Sequence, residues 1–337
     1  MGTLTEQQLT DITTTAFTRG GIPKHIAEHV TDVLVHANLR GVDSHGVLRV
    51  EHYLRRVAEG GLDAHAEPTF TKTSPSTGIL DGNNGFGHYI AKEAMNQSIQ
   101  IAKEQGIGAV AVKNSSHCGA LSYFVQQAAD AGMIGLAMTH TDKVVVPFGG
   151  TEPFFGTNPI AFGFPSAKEE SVILDFATST VALGKILQAK EKGQSIPEGW
   201  GVDKDGNSTT DPHQVVSLTP FGGPKGYGLA MVVEIFSALL TGAAFGPHVS
   251  KMYGDYGQNR ELGHFVLALD LSVFTHLETF TKRMDIMIRE LRSIPAIEGN
   301  EGVFVPGEIE TQTAKTRKQS GIPLPGSVYE FLMENGR

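Results

Sequence analysis

The segment that decides the fold of this chain is Lys113–Leu121, with the sequence KNSSHCGAL. The residues before it, from Ile107, form a short apolar and β-branched run, which is typical of a buried strand. After it, apolar side chains recur at helical spacing, and Ser115 or Ser116 is available as the N-cap. The pattern therefore predicts a strand over 107–113 that leads into a helix over 119–131, with His117 at the junction.

A histidine at such a junction lies beside the free backbone N–H groups and the positive end of the helix dipole. That field disfavours the imidazolium, so the ring of His117 could stay neutral and accept a proton near pH 7. A histidine that only caps a turn would have the same sequence context. The segment alone therefore leaves two hypotheses, a general base or a structural histidine.

A second cluster of polar residues lies at Arg40–Tyr53, with the sequence RGVDSHGVLRVEHY. Its start and stop signals predict a helix from about 44 to 58, and Arg49 and Tyr53 share one face of it. An arginine near Ser44 and His45 could bind a carboxylate through two hydrogen bonds. A surface arginine on a solvated helix face is the alternative.

The composition excludes several classes of protein. The chain has 337 residues, of which 40% are hydrophobic and 19% charged, as in ordinary soluble globular proteins. A net charge of −9 gives no support for binding to nucleic acid or to an anionic membrane. One cysteine, Cys118, and an N-terminus without signal-peptide features indicate a cytoplasmic protein. The apolar segment 227–245 contains Glu234 and is interpreted as a helix buried in the core, with no membrane span expected.

The order of the elements indicates an α/β fold. An N-terminal helical region, 1–75, is followed by an α/β region over 76–260 and by a strand, a helix and a tail over 261–337. Segment 107–139 reads as a strand–helix–strand crossover. Residues 299–320 are polar and without periodicity, which predicts a tail on the surface. The C-terminal helix could return to the N-terminal region.

Standard phosphate-binding motifs are missing, since neither GxGxxG nor a Walker A sequence occurs. Three other places could hold a phosphate or a ribose: the backbone amides of 118–121, the strand end at 175–177, and the glycine-rich turn before Lys225. Thirteen histidines invite a metal hypothesis, but no HExxH or similar ligand spacing occurs. We therefore expect no metal site.

Six motifs occur in an order that resembles a known family. They are RGVDSHGV from 40, SHCGA from 116, PFGG from 147, GTNP from 156, LDFATS from 174 and GPKGYG from 223. Together they resemble the malate/L-lactate dehydrogenase family of the second type, a non-Rossmann group that includes sulfolactate and ureidoglycolate dehydrogenases. The resemblance covers residues 5–330 and implies a large mixed sheet with helices and an N-terminal helical region. It also implies a homodimer with the active site near the interface.

The resemblance assigns roles to individual residues. His117 is the expected proton acceptor of the substrate hydroxyl, and Ser44, His45, Arg49 and Tyr53 are expected to bind the substrate. The expected cofactor is NAD, with NADP possible. The residues expected to bind it are Gly119, Ala120, Leu121, Thr141, Asp175, Phe176, Ala177, Lys225, Gly307 and Glu308.

Within the family, segments 121–129, 209–212 and 249–253 are most similar to the ureidoglycolate-oxidising members. Cys118, Lys143 and the pair Phe154–Phe155 depart from that pattern. The implied reaction is hydride transfer from a small 2-hydroxy acid, with ureidoglycolate oxidised to oxalurate in purine degradation. The alternatives are malate, lactate or sulfolactate as substrate, a metal-dependent ureido hydrolase, and a ligand-binding protein without catalysis.

Overall fold

The computed structural model describes residues 2–336. Its strands are β1 (Gly2–Leu4), β2 (Thr69–Ser74), β3 (Thr77–Asp81), β4 (Ile107–Ser115), β5 (Met133–Thr139), β6 (Ile160–Phe164), β7 (Val172–Phe176), β8 (Gly201–Val202), β9 (Ser217–Leu218), β10 (Leu262–Asp270) and β11 (Ile322–Leu324). Its helices are α1 (Glu6–Arg19), α2 (Lys24–Leu39), α3 (Val50–Ala58), α4 (Gly87–Gln105), α5 (Ser122–Asp130), α6 (Leu183–Lys192), α7 (Pro224–Glu234), α8 (Leu277–Ser293), α9 (Glu308–Ser320) and α10 (Gly326–Asn335).

Seven strands form one mixed sheet in the order β2-β3-β4-β10-β5-β6-β7. Only β3 and β4 are parallel neighbours, and the other pairs are antiparallel. The α/β fold with a large mixed sheet is therefore confirmed. The segment 107–139 forms the predicted strand–helix–strand crossover, since β4 and β5 both run antiparallel to β10 and are therefore parallel to each other, but they are not neighbours because β10 lies between them. Local periodicity carries no information about a partner strand more than a hundred residues away.

The sheet is covered on both faces. Helices α4 and α5 pack on one face in the largest apolar cluster, while α7 packs on the other. The approach of α4 to β4 requires Gly108, since a Cβ there would lie 2.1 Å from the carbonyl oxygen of Ser98. Close contact between α4 and β4 holds the loop after β4 in place.

The two chain ends meet beside this sheet. Strand β1 pairs with β11, and α10 contributes Leu332 to the apolar cluster of α1 and α2. A capping box of Thr5 and Gln8 starts α1, where both reciprocal hydrogen bonds are present. The division of the chain at residues 75 and 260 stays a prediction.

The expectation of a wholly buried helix over 227–245 is wrong. Helix α7 ends at Glu234 and continues as a π-helical turn, Ile235–Leu239. One side of this segment is buried, but the other is apolar and exposed. The exposed residues, here called the α7 face, are Met231, Val232, Ile235, Leu239 and Leu240. Within residues 2–336, no helix is long and apolar enough to cross a membrane.

The surface tail expected over 299–320 is also wrong, because residues 308–320 form α9. None of its residues is buried, so there is no apolar stripe for periodicity to detect. Its acidic first turn and basic last turn suit the helix dipole. Arg317 in the last turn forms a salt bridge with Asp43, 2.6 Å away, which attaches α9 to the polar cluster after α2.

Candidate active site

His117 lies in the loop between β4 and α5, but not at the start of the helix. Helix α5 begins at Ser122, five residues later, and its first N–H donates to the carboxylate of Asp175 at 2.7 Å. Ser116 does not cap the helix either, since its hydroxyl accepts from the N–H of Gly87 at 2.8 Å. The prediction of a helix from 119 and the dipole argument for His117 are therefore wrong.

A buried hydrogen-bond network holds the loop. The ring of His264 on β10 contacts the hydroxyl of Ser115 at 2.8 Å and that of Thr139 at 2.7 Å. These two residues are the last residues of β4 and β5. His264 thus fixes the strand ends from which His117 and Thr141 follow.

One nitrogen of His117 is bound within the protein and the other is not. The hydroxyl of Tyr53 is 2.7 Å from Nδ1. Within residues 2–336, Nε2 makes no hydrogen bond, so it is the nitrogen available to a ligand. The ring of His45 stacks on His117 with centroids 5.6 Å apart, and His88 meets it edge-on at 6.2 Å.

His117 is uncharged at neutral pH for a reason other than the helix dipole. Burial lowers its pKa well below the usual value, and the next causes are the charges of His45, Arg49, His88 and Arg260. The two arginines are cations at neutral pH and oppose the imidazolium, whereas burial lowers the pKa of His45 to about 4 and that of His88 to about 3, so these two oppose it only in acid. The outcome of the sequence argument, a neutral ring, therefore has a different physical cause.

Arg49 lies next to this ring, on a backbone that is not yet α-helical. The helix predicted from 44 begins only at Val50, after two 3-10 turns over 43–45 and 47–49. The turns fold around Asn38, whose side chain accepts from the N–H of Val47 at 2.8 Å. The guanidinium of Arg49 donates to the carbonyl of Ser44 at 2.8 Å and contacts the hydroxyl of Tyr253. Of the four expected substrate residues, His45 and Tyr53 contact His117, the hydroxyl of Ser44 lies 3.0 Å from Nδ1 of His45, and the charge of Arg49 acts on the His117 ring.

Sequence reasoning missed a second arginine. Arg260 is 2% exposed and pairs with Asp142 at 2.8 Å. Its Nε and one Nη are buried without a hydrogen-bond partner in the described chain. Buried unpaired donors are costly unless a ligand supplies an acceptor. Arg260 precedes β10 in a segment without periodicity, so no local signal distinguished it from a surface arginine.

Several of the expected cofactor residues converge at the end of β7. Asp175 caps α5, and burial raises its pKa to about 6. The N–H of Ile173 donates to the carbonyl of Pro306 at 3.2 Å, which brings Gly307 and Glu308 beside β7. Gly307 has φ 83° and a Cβ there would lie 2.6 Å from a carbonyl oxygen of β7. Only glycine fits this close approach.

Arg40 is a half-buried cation that the sequence argument did not assign. It donates to the carbonyl of Gly307 at 3.3 Å, and its Nε has no hydrogen-bond partner within residues 2–336. The charge of Asp175 also acts on it. An unpaired donor and a carboxylate therefore lie together beside Gly307.

The remaining cofactor positions are connected by backbone contacts. The hydroxyl of Thr141 accepts from Thr157 N–H at 3.2 Å, and Thr178 N–H donates to the carbonyl of Thr157 at 2.8 Å. Phe221 N–H in turn donates to the carbonyl of Thr178 at 3.0 Å, and the ring of Phe221 packs against Phe176, the neighbour of Ala177.

A left-handed turn follows Phe221, with φ 57° at residue 222 and 63° at residue 223. It leads to Lys225, which is exposed in the first turn of α7.

Gly119, Ala120 and Leu121 lie behind the His117 loop. Ala120 and Leu121 are 5% and 2% exposed, so only their backbone could meet a ligand. Gly119 adopts φ 80°, and a Cβ there would lie 3.0 Å from the ring of His88. Across residues 2–336, no group of three or more His, Cys, Asp or Glu side chains is arranged to hold a metal ion.

Comparisons with known proteins agree over nearly the whole chain. The family described as malate/L-lactate dehydrogenase matches residues 4–333. Ureidoglycolate dehydrogenase (NAD(+)) from Escherichia coli K12 is 40% identical over 319 residues, 94% of this chain and 91% of that protein. Malate dehydrogenase from Pyrococcus abyssi is 38% identical over 330 residues, 95% of this chain and 90% of that protein.

Among solved structures, sulfolactate dehydrogenase from Methanocaldococcus jannaschii superposes with a TM-score of 0.93. The alignment covers 99% of this chain and 96% of that chain at 35% identity.

Proposed function

Because the chain belongs to the malate/L-lactate dehydrogenase family, we propose that it oxidises a small 2-hydroxy acid with NAD as the hydride acceptor. The observation that carries the proposal is the arrangement around His117. The neutral imidazole has no partner for Nε2 within the described chain, the charges of Arg49 and Arg260 act on it, and two nitrogens of Arg260 are buried without a hydrogen-bond partner. A base beside two cations suits a substrate that carries a hydroxyl next to a carboxylate.

The reaction converts the hydroxy acid into a 2-oxo acid with loss of one proton and one hydride. Nε2 of His117 takes the hydroxyl proton. Arg49 and Arg260 bind the carboxylate and orient the carbon that loses hydride. When bound, the nicotinamide supplies the hydride acceptor. Burial of the site excludes water and strengthens each of these contacts.

The residues at the end of β7 fit a dinucleotide. The Asp175 carboxylate and the unpaired Nε of Arg40 offer an acceptor and a donor near Gly307, whose close packing on Ile173 holds this segment against β7. The first turn of α7, which follows the glycine turn and Pro224, adds N–H groups that have no partner within the helix. We infer that these groups, with Thr141, Phe176, Ala177, Glu308 and the backbone of 119–121, hold the cofactor.

Ureidoglycolate is the proposed substrate, and oxalurate is its oxidation product. The support is the similarity to a protein that bears this name, at 40% identity. A second candidate is a dicarboxylic acid such as malate, because a relative at 38% identity is named for it and two arginines act on the site. A second acid group could use the arginine that the first leaves free.

We further propose that the chain forms a homodimer in the cytoplasm. The α7 face is a contiguous set of exposed apolar side chains, of which Leu239 and Leu240 are 54% and 57% exposed. Such a surface is typical of a protein interface. The one cysteine, Cys118, is buried and unpaired, which suits a reducing compartment.

The test is an absorbance assay of NAD or NADP reduction with ureidoglycolate, malate, lactate and sulfolactate. We expect NAD-dependent oxidation of at least one acid that continues in the presence of a chelator. His117→Ala should lower turnover by roughly 10²–10⁴-fold with little change in cofactor affinity. Activity without nicotinamide that a chelator abolishes would favour the hydrolase instead. Normal turnover of His117→Ala would contradict the role of the base.

A further inference from the structure

The hydrogen bond between Tyr53 and His117 joins α3 to the loop after β4, 64 residues apart. Tyr53 is 2% exposed, and its ring packs edge-on against His88 at 4.9 Å and near Phe86 at 6.2 Å. Arg56, one turn later on α3, donates to the carbonyls of Lys251, Met252 and Gln258. The buried ring is therefore held by His88 and Phe86, and α3, which carries it, is held by the three hydrogen bonds of Arg56.

This bond determines what the histidine ring can do. A base that uses Nε2 must carry its ring proton on Nδ1, so the Tyr53 oxygen must accept a hydrogen bond from Nδ1–H. After proton uptake, Nδ1–H of the imidazolium donates the same bond to the same oxygen. The ring can therefore change charge without moving. In catalytic triads, the residue that accepts the hydrogen bond from Nδ1–H of the histidine orients the ring in the same way.

A phenol differs from the carboxylate that often orients a histidine. Burial raises the pKa of Tyr53 further above neutrality, so the hydroxyl stays protonated and uncharged. It orients the ring without adding negative charge. Of the two arginines that act on His117, Arg260 is already paired with Asp142, so it is the charge of Arg49 that meets a carboxylate only when the substrate binds.

We propose that Tyr53 is a positioning residue for His117: its hydroxyl holds Nδ1 and presents Nε2 to the hydroxyl of the substrate. This inference rests on the proposed function, and it replaces the substrate contact that the family resemblance implied for Tyr53. Tyr53 then acts on the reaction through His117 and not through the binding of the acid.

The test is a double-mutant cycle of Tyr53→Phe and His117→Ala. Tyr53→Phe removes one oxygen and keeps the buried ring. We expect kcat to fall on the order of 10- to 100-fold, because a base in the wrong orientation takes up the proton more slowly. The KM of the acid and the Kd of NAD should stay within about threefold, since no substrate contact is lost. In the His117→Ala background, Tyr53→Phe should have no further effect, because the group it positions is gone.

A second measurement is independent of activity. In enzyme labelled with ¹⁵N-histidine, the His117 signals are assigned by their loss in His117→Ala. We expect one tautomer with the proton on Nδ1 in the wild type and a mixture in Tyr53→Phe. Tyr89→Phe is the matched control, since it removes a tyrosine hydroxyl whose partner is Glu67, at 2.8 Å. Its kcat and the His117 signals should equal those of the wild type.

The outcomes separate the two proposals. If His117→Ala is inactive while Tyr53→Phe keeps the wild-type kcat and tautomer, the positioning role is wrong and the proposed function stands. If the two substitutions lower kcat additively and Tyr53→Phe raises KM, Tyr53 contacts the substrate instead. If His117→Ala is fully active, the base itself is misassigned and both proposals fail. Circular dichroism and melting temperature of Tyr53→Phe establish that the variant is folded.

Discussion

The guanidinium of Arg49 already contacts a backbone carbonyl and a tyrosine hydroxyl, and these contacts determine which of its nitrogens can bind a substrate. Its Nε is used by the carbonyl of Ser44, and one Nη contacts the hydroxyl of Tyr253 on the loop after α7. The ring of Tyr253 also lies 5.6 Å from the guanidinium carbon. A carboxylate that enters would replace the neutral tyrosine hydroxyl by a charged acceptor, which makes a stronger hydrogen bond.

Arg49→Lys should therefore weaken substrate binding although the charge is kept. An ammonium cannot form the two parallel hydrogen bonds of a guanidinium, and a hydrogen bond to a charged group contributes about 1.5–3 kcal/mol. We expect the KM of the acid to rise about tenfold or more, with cofactor affinity unchanged. Steady-state kinetics with varied acid and saturating NAD measure this.

The matched control is Arg55→Lys on α3, the helix that begins directly after Arg49. Arg55 is exposed and pairs with Glu59 at 2.7 Å, away from His117. Its KM should equal that of the wild type. An unchanged KM for Arg49→Lys would leave the carboxylate to Arg260 alone.

At the scale of elements, α7 serves two surfaces at once. Its inner side packs on the sheet through Val233 and, through Ala230, on the apolar cluster that contains Val145, Phe155 and Leu218; both side chains are fully buried. Its outer side is the α7 face, which has no cover within the described chain. A helix that is apolar all round needs burial on both sides, and the monomer supplies only one. A second copy of the chain would supply the other.

Leu239→Lys should therefore weaken the dimer. A charge in an apolar interface loses its hydration without a partner, so we expect dissociation to monomers at concentrations where the wild type is dimeric. Sedimentation velocity over a concentration series measures this. Leu187→Lys on α6 is the control, since Leu187 is equally exposed, at 55%, but lies outside the α7 face. Equal behaviour of both variants would remove the α7 face from the interface.

At the scale of the whole molecule, buried histidines connect stability to pH. His88, His140 and His264 are at most 1% exposed, and burial lowers their pKa values to about 3, about 4 and about 3. In the unfolded chain each takes up a proton below about pH 6.5. The unfolded state therefore binds more protons in acid than the folded state does. The contribution of these histidines to the free energy of unfolding is fully present above pH 6.5 and is lost as the pH falls towards 4.

His264→Gln tests this dependence. We expect the variant to be less stable than the wild type at pH 8, because the hydrogen bonds to Ser115 and Thr139 are altered. Its stability should fall less between pH 8 and 5, by about 2 kcal/mol, since one proton-linked group is gone. Urea unfolding at both pH values measures the difference. His276→Gln at an exposed position should keep the wild-type slope, and an equal slope for His264→Gln would refute the assignment.

The sequence by itself determined much of the local structure. The strand predicted over 107–113 is observed as β4, two residues longer, and α5 lies within the range of 119–131 predicted for a helix. These elements bury one face or a short apolar run, which periodicity detects directly. The fold class and the family followed from the ordered motifs and are confirmed. The assigned roles of the site residues stay predictions.

Only the tertiary structure decided which groups meet. The pairing of β10 between β4 and β5, the bond from Tyr53 to His117 and the burial of Arg260 beside Asp142 all join residues far apart in the chain. The neutrality of His117 likewise comes from burial and neighbouring cations, not from the adjacent helix. Periodicity shows that a side chain will be buried, but not which partner buries it. That choice depends on long-range packing, which a single sequence does not display.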